Sequence, residues 1–372
     1  MRVAIVHDLL LRYGGAERVV LALKEIYPQA PVYTLLYDRE NMAPWFSEID
    51  VRPSWLQKLP RFLRKKHKYL LKLMPLAVES LDLRDFDLVI SSSTAFAKGV
   101  VTRPDTKHIC YCHSPARFLW DMSHRYPKMQ SLGGLRGLAA KISVHQLRLW
   151  DKSTINRVDY FIANSQTTKA RIRKYYRRRA EVIYPPVPEG LESFAGGFAP
   201  EEKDYFLIVS QLVKHKNIEV AVEAFNKLEL PLVVIGEGPE RKRLAKLAGP
   251  KIKFKGFLPE ERVQVYRKNC RAFIFPGEDD FGIAPVQALK AGRPVLALRA
   301  GGATETVIEG VNGEFFDWPL PEILADGVRR LLENYAAYDP EIIKKSVEKF
   351  GEKRFREEIE GFVKKAMKEI LR

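Results

Sequence analysis

The chain has 372 residues, 46% of them hydrophobic and 29% charged, which suits two globular domains that need no disulfide or metal staple. Its net charge of +16 favours anionic partners, whether nucleotide phosphates, nucleic acid or anionic lipid. Three cysteines without framework spacing argue for a reducing compartment, and no window offers the roughly 20 apolar residues of a membrane span. The N-terminus lacks the basic and apolar regions of a signal peptide, so the expected location is cytoplasmic, at most on the inner face of the plasma membrane.

The first apolar strand runs from Val3 to His7. The loop YGGAE follows, and then a helical pattern from Arg18 to Ile26. Gly14 and Gly15 let backbone approach a ligand, and the helix start offers free N–H groups to an anion; a plain strand-to-helix turn is the alternative. The stretch Lys58 to Lys72 contains no acid and places Leu59, Phe62, Leu63, Leu70 and Leu73 at roughly helical spacing. Such a helix could lie on an anionic membrane or pack its apolar side on the core.

Further short strands are expected at Leu88 to Ser91, His108 to Cys112, Tyr160 to Ala163 and Glu181 to Tyr184, with a helix from Leu135 to Asn156. Cys110 and Cys112 are read as pointing to opposite faces of their strand, which disfavours a shared zinc. His113 stands at a strand's carboxyl end, where it can bond a sugar hydroxyl or cap a turn begun by Ser114 and Pro115. Lys169 to Arg179 is a second acid-free stretch and reads as a solvated face. Neither basic stretch interleaves aromatics at stacking spacing, apart from Tyr175 and Tyr176, and no nucleic-acid motif appears, so nucleic acid is not expected as a partner.

Residues 187–204, rich in Pro and Gly, read as a linker after a first domain of residues 1–186. The alternation then restarts over residues 205–349. Strands are expected at Tyr205 to Ser210, Leu232 to Ile235, Ile252 to Phe254, Ala272 to Phe275 and Pro294 to Ala297, with a helix from Ile218 to Leu228. An amphipathic helical stretch, Pro340 to Arg372, closes the chain; its last part, from about residue 350, is expected to pack back on the first domain. Alternating strands and helices imply an α/β fold of two doubly wound, Rossmann-like parallel sheets, with ligands at the strands' carboxyl ends. There Lys216 stands near a helix start, where a lysine is unfavourable unless an anion joins it. Glu278, Asp279 and Asp280 precede Phe281-Gly282-Ile283-Ala284 and another helix start, near Pro285.

These motifs resemble family 4 of the glycosyltransferases. GGAE, HSP at His113 to Pro115, ANS at Ala163 to Ser165, VSQLVKHKN, IGEGPE, KGFLP and DDFGIAPVQALKAGRPVLA carry the resemblance through nearly the whole chain. FLW after HSP and YPPV at Tyr184 to Val187 look closest to the GDP-mannose-dependent mannosyltransferases of bacterial and archaeal surface polysaccharides.

The resemblance implies a GT-B fold, two domains facing across a cleft, and a retaining hexosyltransferase. It implies a nucleotide-sugar co-substrate, expected to be GDP-mannose, with no cofactor and no metal. The acceptor is expected to be a saccharide or lipid-linked saccharide. Gly15 would approach the donor diphosphate, His113 the donor sugar, and Phe257 and Leu258 the nucleobase. Lys216 would neutralise the leaving diphosphate. Asp279 with Phe281, Gly282, Ile283 and Ala284 would bind sugar and phosphates; Gly14, Gln211, Gly236 and Gln287 complete the donor set. The chain departs from the family where Gln211 stands for an arginine, and where Asp279 and Gln287 stand for two glutamates seven residues apart. A catalytically weakened or non-catalytic sugar-nucleotide-binding subunit is therefore the alternative reading, and the chain shows no second acid–base pair to support an epimerase.

Overall fold

The computed structural model describes residues 1–123, 134–188 and 199–368. The chain divides into two compact units, Met1–Pro186 with Lys353–Arg372, and Val187–Glu352. Most of the stretch read as a linker, residues 189–198, lies outside the described residues.

The first unit holds a seven-stranded sheet: β1 (Val3–Leu10), β2 (Val32–Tyr37), β3 (Val51–Pro53), β4 (Leu88–Ser93), β5 (Lys107–Cys112), β6 (Tyr160–Ala163) and β7 (Ala180–Val182). All neighbours pair parallel, in the order β3-β2-β1-β4-β5-β6-β7. A parallel sheet covered on both faces requires strands apolar on both sides. β1 shows how this is met: Val3 and Ile5 pack with the helices Gly15–Ile26 and Glu352–Lys368, while Ala4 and Val6 pack on the opposite face with Met74, Ala77 and Leu147. Phe355, Ile359, Val363 and Ala366, one stripe of the Glu352–Lys368 helix, are all buried there.

The second unit repeats the design with β8 (Phe206–Val209), β9 (Leu232–Ile235), β10 (Ile252–Gly256), β11 (Ala272–Phe275), β12 (Val295–Leu298) and β13 (Gly313–Phe316). These pair parallel in the order β10-β9-β8-β11-β12-β13. In both sheets the order reverses once, between β1 and β4 and between β8 and β11. Loops leaving such a reversal splay to opposite faces and open a crevice at the carboxyl ends of the strands.

Three expectations need correction. Lys58 to Lys72 is not one helix: a 3₁₀ turn (Trp55–Lys58), a short α-helix (Arg61–Lys65) and a second turn (His67–Leu70) replace it. Pro60 begins the middle piece, and a proline there has no N–H with which to continue the first turn. The closing stretch is likewise broken into Pro340–Lys345, Glu348–Phe350 and Glu352–Lys368. Finally, Cys110 and Cys112 share a face, as residues two apart in a strand must, and both lie in one apolar cluster with Phe161 and Ala163.

Candidate functional site

The carboxyl ends of the second unit's strands carry most of the predicted residues. Gln211 and Lys216 follow β8, Gly236 follows β9, and Phe257 and Leu258 follow β10. Asp279 to Ala284 follow β11 and run into the helix Ile283–Lys290. The loops after β8 and β11 flank the reversal of strand order, and they are tied together. Asn217 donates its side-chain amide to the Pro276 carbonyl at 3.2 Å. Gly277 lies so close to Lys216 that a Cβ on it would meet the Lys216 Cα at 2.9 Å.

Lys216 forms an ion pair with Asp279 across these loops. The anion expected beside Lys216 is thus this carboxylate. Both side chains are partly exposed, so the pair can open to a ligand at modest cost. Next to it, Gly282 (φ +83°) is the N-cap of the Ile283–Lys290 helix, which has no side-chain cap. Its first amides and the helix dipole favour an anion. Phe281 itself is buried against Phe350, at a ring distance of 5.4 Å, so only its backbone can serve a ligand. The loop is braced from β12 as well: Gly302 donates its N–H to the Asp279 carbonyl at 2.9 Å, and a Cβ on Gly302 would stand 2.3 Å from the Phe281 Cα.

Phe257 is 73% exposed at the end of β10, the outer edge of this sheet. An exposed ring of that kind can stack on a planar base. Gln287, by contrast, is buried, and its amide donates to Glu260 Oε1 at 3.3 Å. That carboxylate also accepts from Gln264 and Arg267. A carboxylate thus lies beside Gln287, on Glu260, but it is already paired with Arg267 at 2.7 Å.

In the first unit, Gly14 and Gly15 open the helix after β1, and His113 follows β5. His113 is buried with Nε2 at 2.8 Å from the Ser92 hydroxyl. Burial first, and then the nearby His7, push its pKa down to about 3, so it is neutral in the ordinary pH range. Two residues that carried no signal in the sequence hold this edge. The amides of Thr94, Ala95, Phe96 and Ala97 and the Thr94 hydroxyl all donate to the buried Asp8 carboxylate. Lys98, 1% exposed, then anchors the turn to Asp151. No cluster of three metal-ligating side chains occurs among the described residues.

Two Rossmann-like units with loops gathered at a reversal of strand order are the architecture of the GT-B sugar transferases. The fold matches HepE of Anabaena in complex with UDP and glucose at a TM-score of 0.71, with 18% identity, covering 98% of this chain and 99% of that one. It matches sucrose-phosphate synthase of Thermosynechococcus elongatus at 0.72, with 16% identity and the same coverage of both chains. Residues 13–190 match the model of Glycosyltransferase Family 4, and residues 191–353 that of Glycosyl transferases group 1. The chain belongs to family 4 of the glycosyltransferases.

Among its relatives, an uncharacterized glycosyltransferase of Methanocaldococcus jannaschii is 24% identical over 56% of this chain, and the match spans 59% of that relative's length. Alpha-1,3/1,6-mannosyltransferase ALG2 of Candida glabrata is 24% identical over 83% of this chain and 78% of its own. A GDP-mannose-dependent alpha-mannosyltransferase of Corynebacterium glutamicum is 33% identical over 29% of this chain and 26% of its own.

Proposed function

We propose that the chain is a retaining glycosyltransferase that moves mannose from GDP-mannose to a saccharide or lipid-linked saccharide acceptor. The observation that carries this reading is the Lys216–Asp279 pair beside the uncapped helix start at Gly282. A donor diphosphate entering there takes Asp279's place beside Lys216 and meets the amides of Ile283 and Ala284. Asp279, released, accepts from sugar hydroxyls; for His113 in the first unit, the donor-sugar contact is the role that the resemblance implies. The anomeric carbon's bond to the diphosphate oxygen breaks as its bond to the acceptor hydroxyl forms on the same face. The acceptor's proton passes to the departing phosphate oxygen. Lys216 and the helix dipole stabilise the departing charge, the task a divalent cation performs in other transferases, so no metal is required. The names of the Candida and Corynebacterium relatives support mannose, and that of the latter supports guanine.

Thermal unfolding with GDP-mannose, GDP, UDP-glucose and UDP tests the donor. A ligand at 100 times its Kd should stabilise the protein by about 2.7 kcal/mol. A shift with the guanine compounds alone is the expected result. A shift with the uracil compounds alone would reassign the donor, and no shift at millimolar concentration would favour a non-catalytic role.

The acceptor reading extends to the membrane surface. No helix among the described residues is long and apolar enough to cross a membrane. Yet Phe62, Tyr69, Leu73 and Leu76 are exposed, and Lys65, Lys66 and Lys72 beside them form no ion pair among the described residues. This patch suits peripheral contact with an anionic bilayer. Each such lysine contributes about 1 kcal/mol near an anionic surface, so Lys65→Gln with Lys66→Gln should weaken binding to phosphatidylglycerol vesicles about 30-fold. Equal sedimentation of wild type with phosphatidylglycerol and phosphatidylcholine vesicles would refute the contact.

A further inference from the structure

Glu17 of the GGAE motif has no part in the scheme above, yet it begins an unbroken line of side-chain hydrogen bonds inside the first unit. His7 Nε2 lies 3.3 Å from Glu17 Oε1. On its other side, His7 Nδ1 lies 3.1 Å from both the carbonyl oxygen and the hydroxyl of Ser92. The Ser92 hydroxyl in turn lies 2.8 Å from His113 Nε2. All but Glu17 are buried, and the Glu17 side chain is 14% exposed.

Elementary valence fixes the protons along this line. A carbonyl oxygen only accepts, so His7 Nδ1 carries hydrogen. A carboxylate only accepts, so His7 Nε2 carries hydrogen as well, and His7 is an imidazolium. Ser92 is wholly buried and its hydroxyl has no third partner among the described residues, so, having accepted from His7, it spends its own hydrogen on His113 Nε2. A neutral imidazole that accepts at Nε2 carries its proton on Nδ1. His113 Nδ1 has no hydrogen-bond partner among the described residues.

We infer that Glu17, His7 and Ser92 are positioning residues that lock His113 as the Nδ1–H tautomer, so that it offers its substrate a hydrogen-bond donor and never an acceptor. That His113 meets the donor sugar rests on the function proposed above; the tautomer lock does not. Its ligand partner is therefore an oxygen with a free lone pair, such as a sugar hydroxyl, ring or phosphate oxygen, and a ligand group that only donates is rejected.

The titration behaviour of His7 agrees. Burial alone would lower its pKa, but the hydrogen bond and charge of Glu17, with the charge of Asp8, outweigh burial and raise it above the ordinary 6.5. The titratable groups that face His7 are Glu17 from the helix after β1, Asp8 from its own strand and His113 from the loop after β5. A raised histidine pKa gives stability that is complete below 6.5 and is lost as pH climbs through the raised value. The lock accordingly loosens as pH rises through that raised value.

The test is ¹⁵N spectroscopy of the imidazole nitrogens in the full-length, histidine-labelled protein, with His7→Gln and His113→Gln spectra assigning the two rings. At pH 7, wild-type His113 should show a protonated Nδ1 and a bare Nε2, and His7 should be protonated at both nitrogens. In Glu17→Gln, His7 should lose its second proton near neutrality. In Ser92→Ala, His113 should relax to a mixture of tautomers, with kcat/KM down about fivefold to tenfold, the loss of roughly one neutral hydrogen bond. Protonated Nε2 on wild-type His113, or a neutral His7, overturns the inference even if neither variant folds. The spectra need no donor, so a failed donor assignment leaves this result standing, and a failed lock leaves the donor panel untouched.

Discussion

Lys216→Ala should lower kcat by about 10²- to 10³-fold with a much smaller change in KM, measured as transfer from GDP-mannose under saturating acceptor. The expectation follows from where charge grows. In the proposed complex the diphosphate already bears its negative charge in the ground state, shared by the helix amides and Lys216. As the glycosidic bond breaks, another charge gathers on the departing oxygen, and a fixed ammonium at that point stabilises the transition state more than the bound donor. The resemblance implies two cations there; with Gln211 in one position, the proposed mechanism leaves that work to Lys216 alone. Removing Lys216 also frees Asp279, but both side chains are partly exposed, so the fold should lose less than about 1 kcal/mol. Asp279→Asn provides the contrast, because it keeps the cation and removes a sugar contact; its effect should fall on KM as well as kcat. A Lys216→Ala protein that retains kcat within threefold would remove Lys216 from the leaving group and, with it, the metal-independent mechanism.

The sequence showed the second unit's site more fully than the first unit's. Lys216, Asp279 and Gly282 lie in loops between a short apolar run and a helical run, and that local alternation alone sends them to the carboxyl edge of a parallel sheet. Strands such as Tyr160–Ala163 and Ala272–Phe275 were readable because burial on both faces makes them continuously apolar. β3 (Val-Arg-Pro) and β13 (Gly-Glu-Phe-Phe) were not, because an edge strand of three or four residues has no periodicity to detect. β2, VYTLLY, carries an apolar run as readable as that of Tyr160–Ala163, and nothing physical sets it apart from the strands expected above. The helix expected from Lys58 to Lys72 shows the opposite error: apolar spacing suggested one continuous helix, but the local turn at Pro60 broke it. Asp8 was invisible for a different reason. Its partners are backbone amides of residues 94 to 97, and an acid that binds another loop's backbone leaves no complementary residue type in the sequence. Glu17 and His7 are ten residues apart across a strand and a loop, and only the fold brings them within 3.3 Å.

Lys98→Met should destabilise the first unit by about 3–5 kcal/mol and lower its Tm by about 10 °C, the largest stability loss expected from one substitution here. Lys98 is almost wholly buried. Its ammonium lies 3.0 Å from Asp151 Oδ1, donates to the Asp151 carbonyl at 2.9 Å and to the Thr154 hydroxyl at 2.6 Å, and sits over the rings of Trp150 and Tyr176. Asp151 also accepts from Trp120 Nε1 at 2.8 Å and the Tyr176 hydroxyl at 3.3 Å. Methionine fills much the same space but leaves Asp151 as a buried carboxylate without a counter-charge, and that penalty, more than the lost attraction, sets the size of the effect. Lys98→Met with Asp151→Leu should therefore be less damaging than Lys98→Met alone, a sign that a simple contact count would not give. The consequence reaches the site. The Lys98 amide donates to the Ser93 hydroxyl, the Ser93 carbonyl accepts from the His113 amide, and Ser92 beside it holds the His113 ring. Loosening the turn at Lys98 should thus blur the orientation of His113 well below the unfolding temperature, and urea unfolding read beside donor turnover would show both. A loss under 1 kcal/mol for Lys98→Met would mean that water or a rearranged neighbour satisfies Asp151, and the buried pair would then be no anchor for the loop after β4.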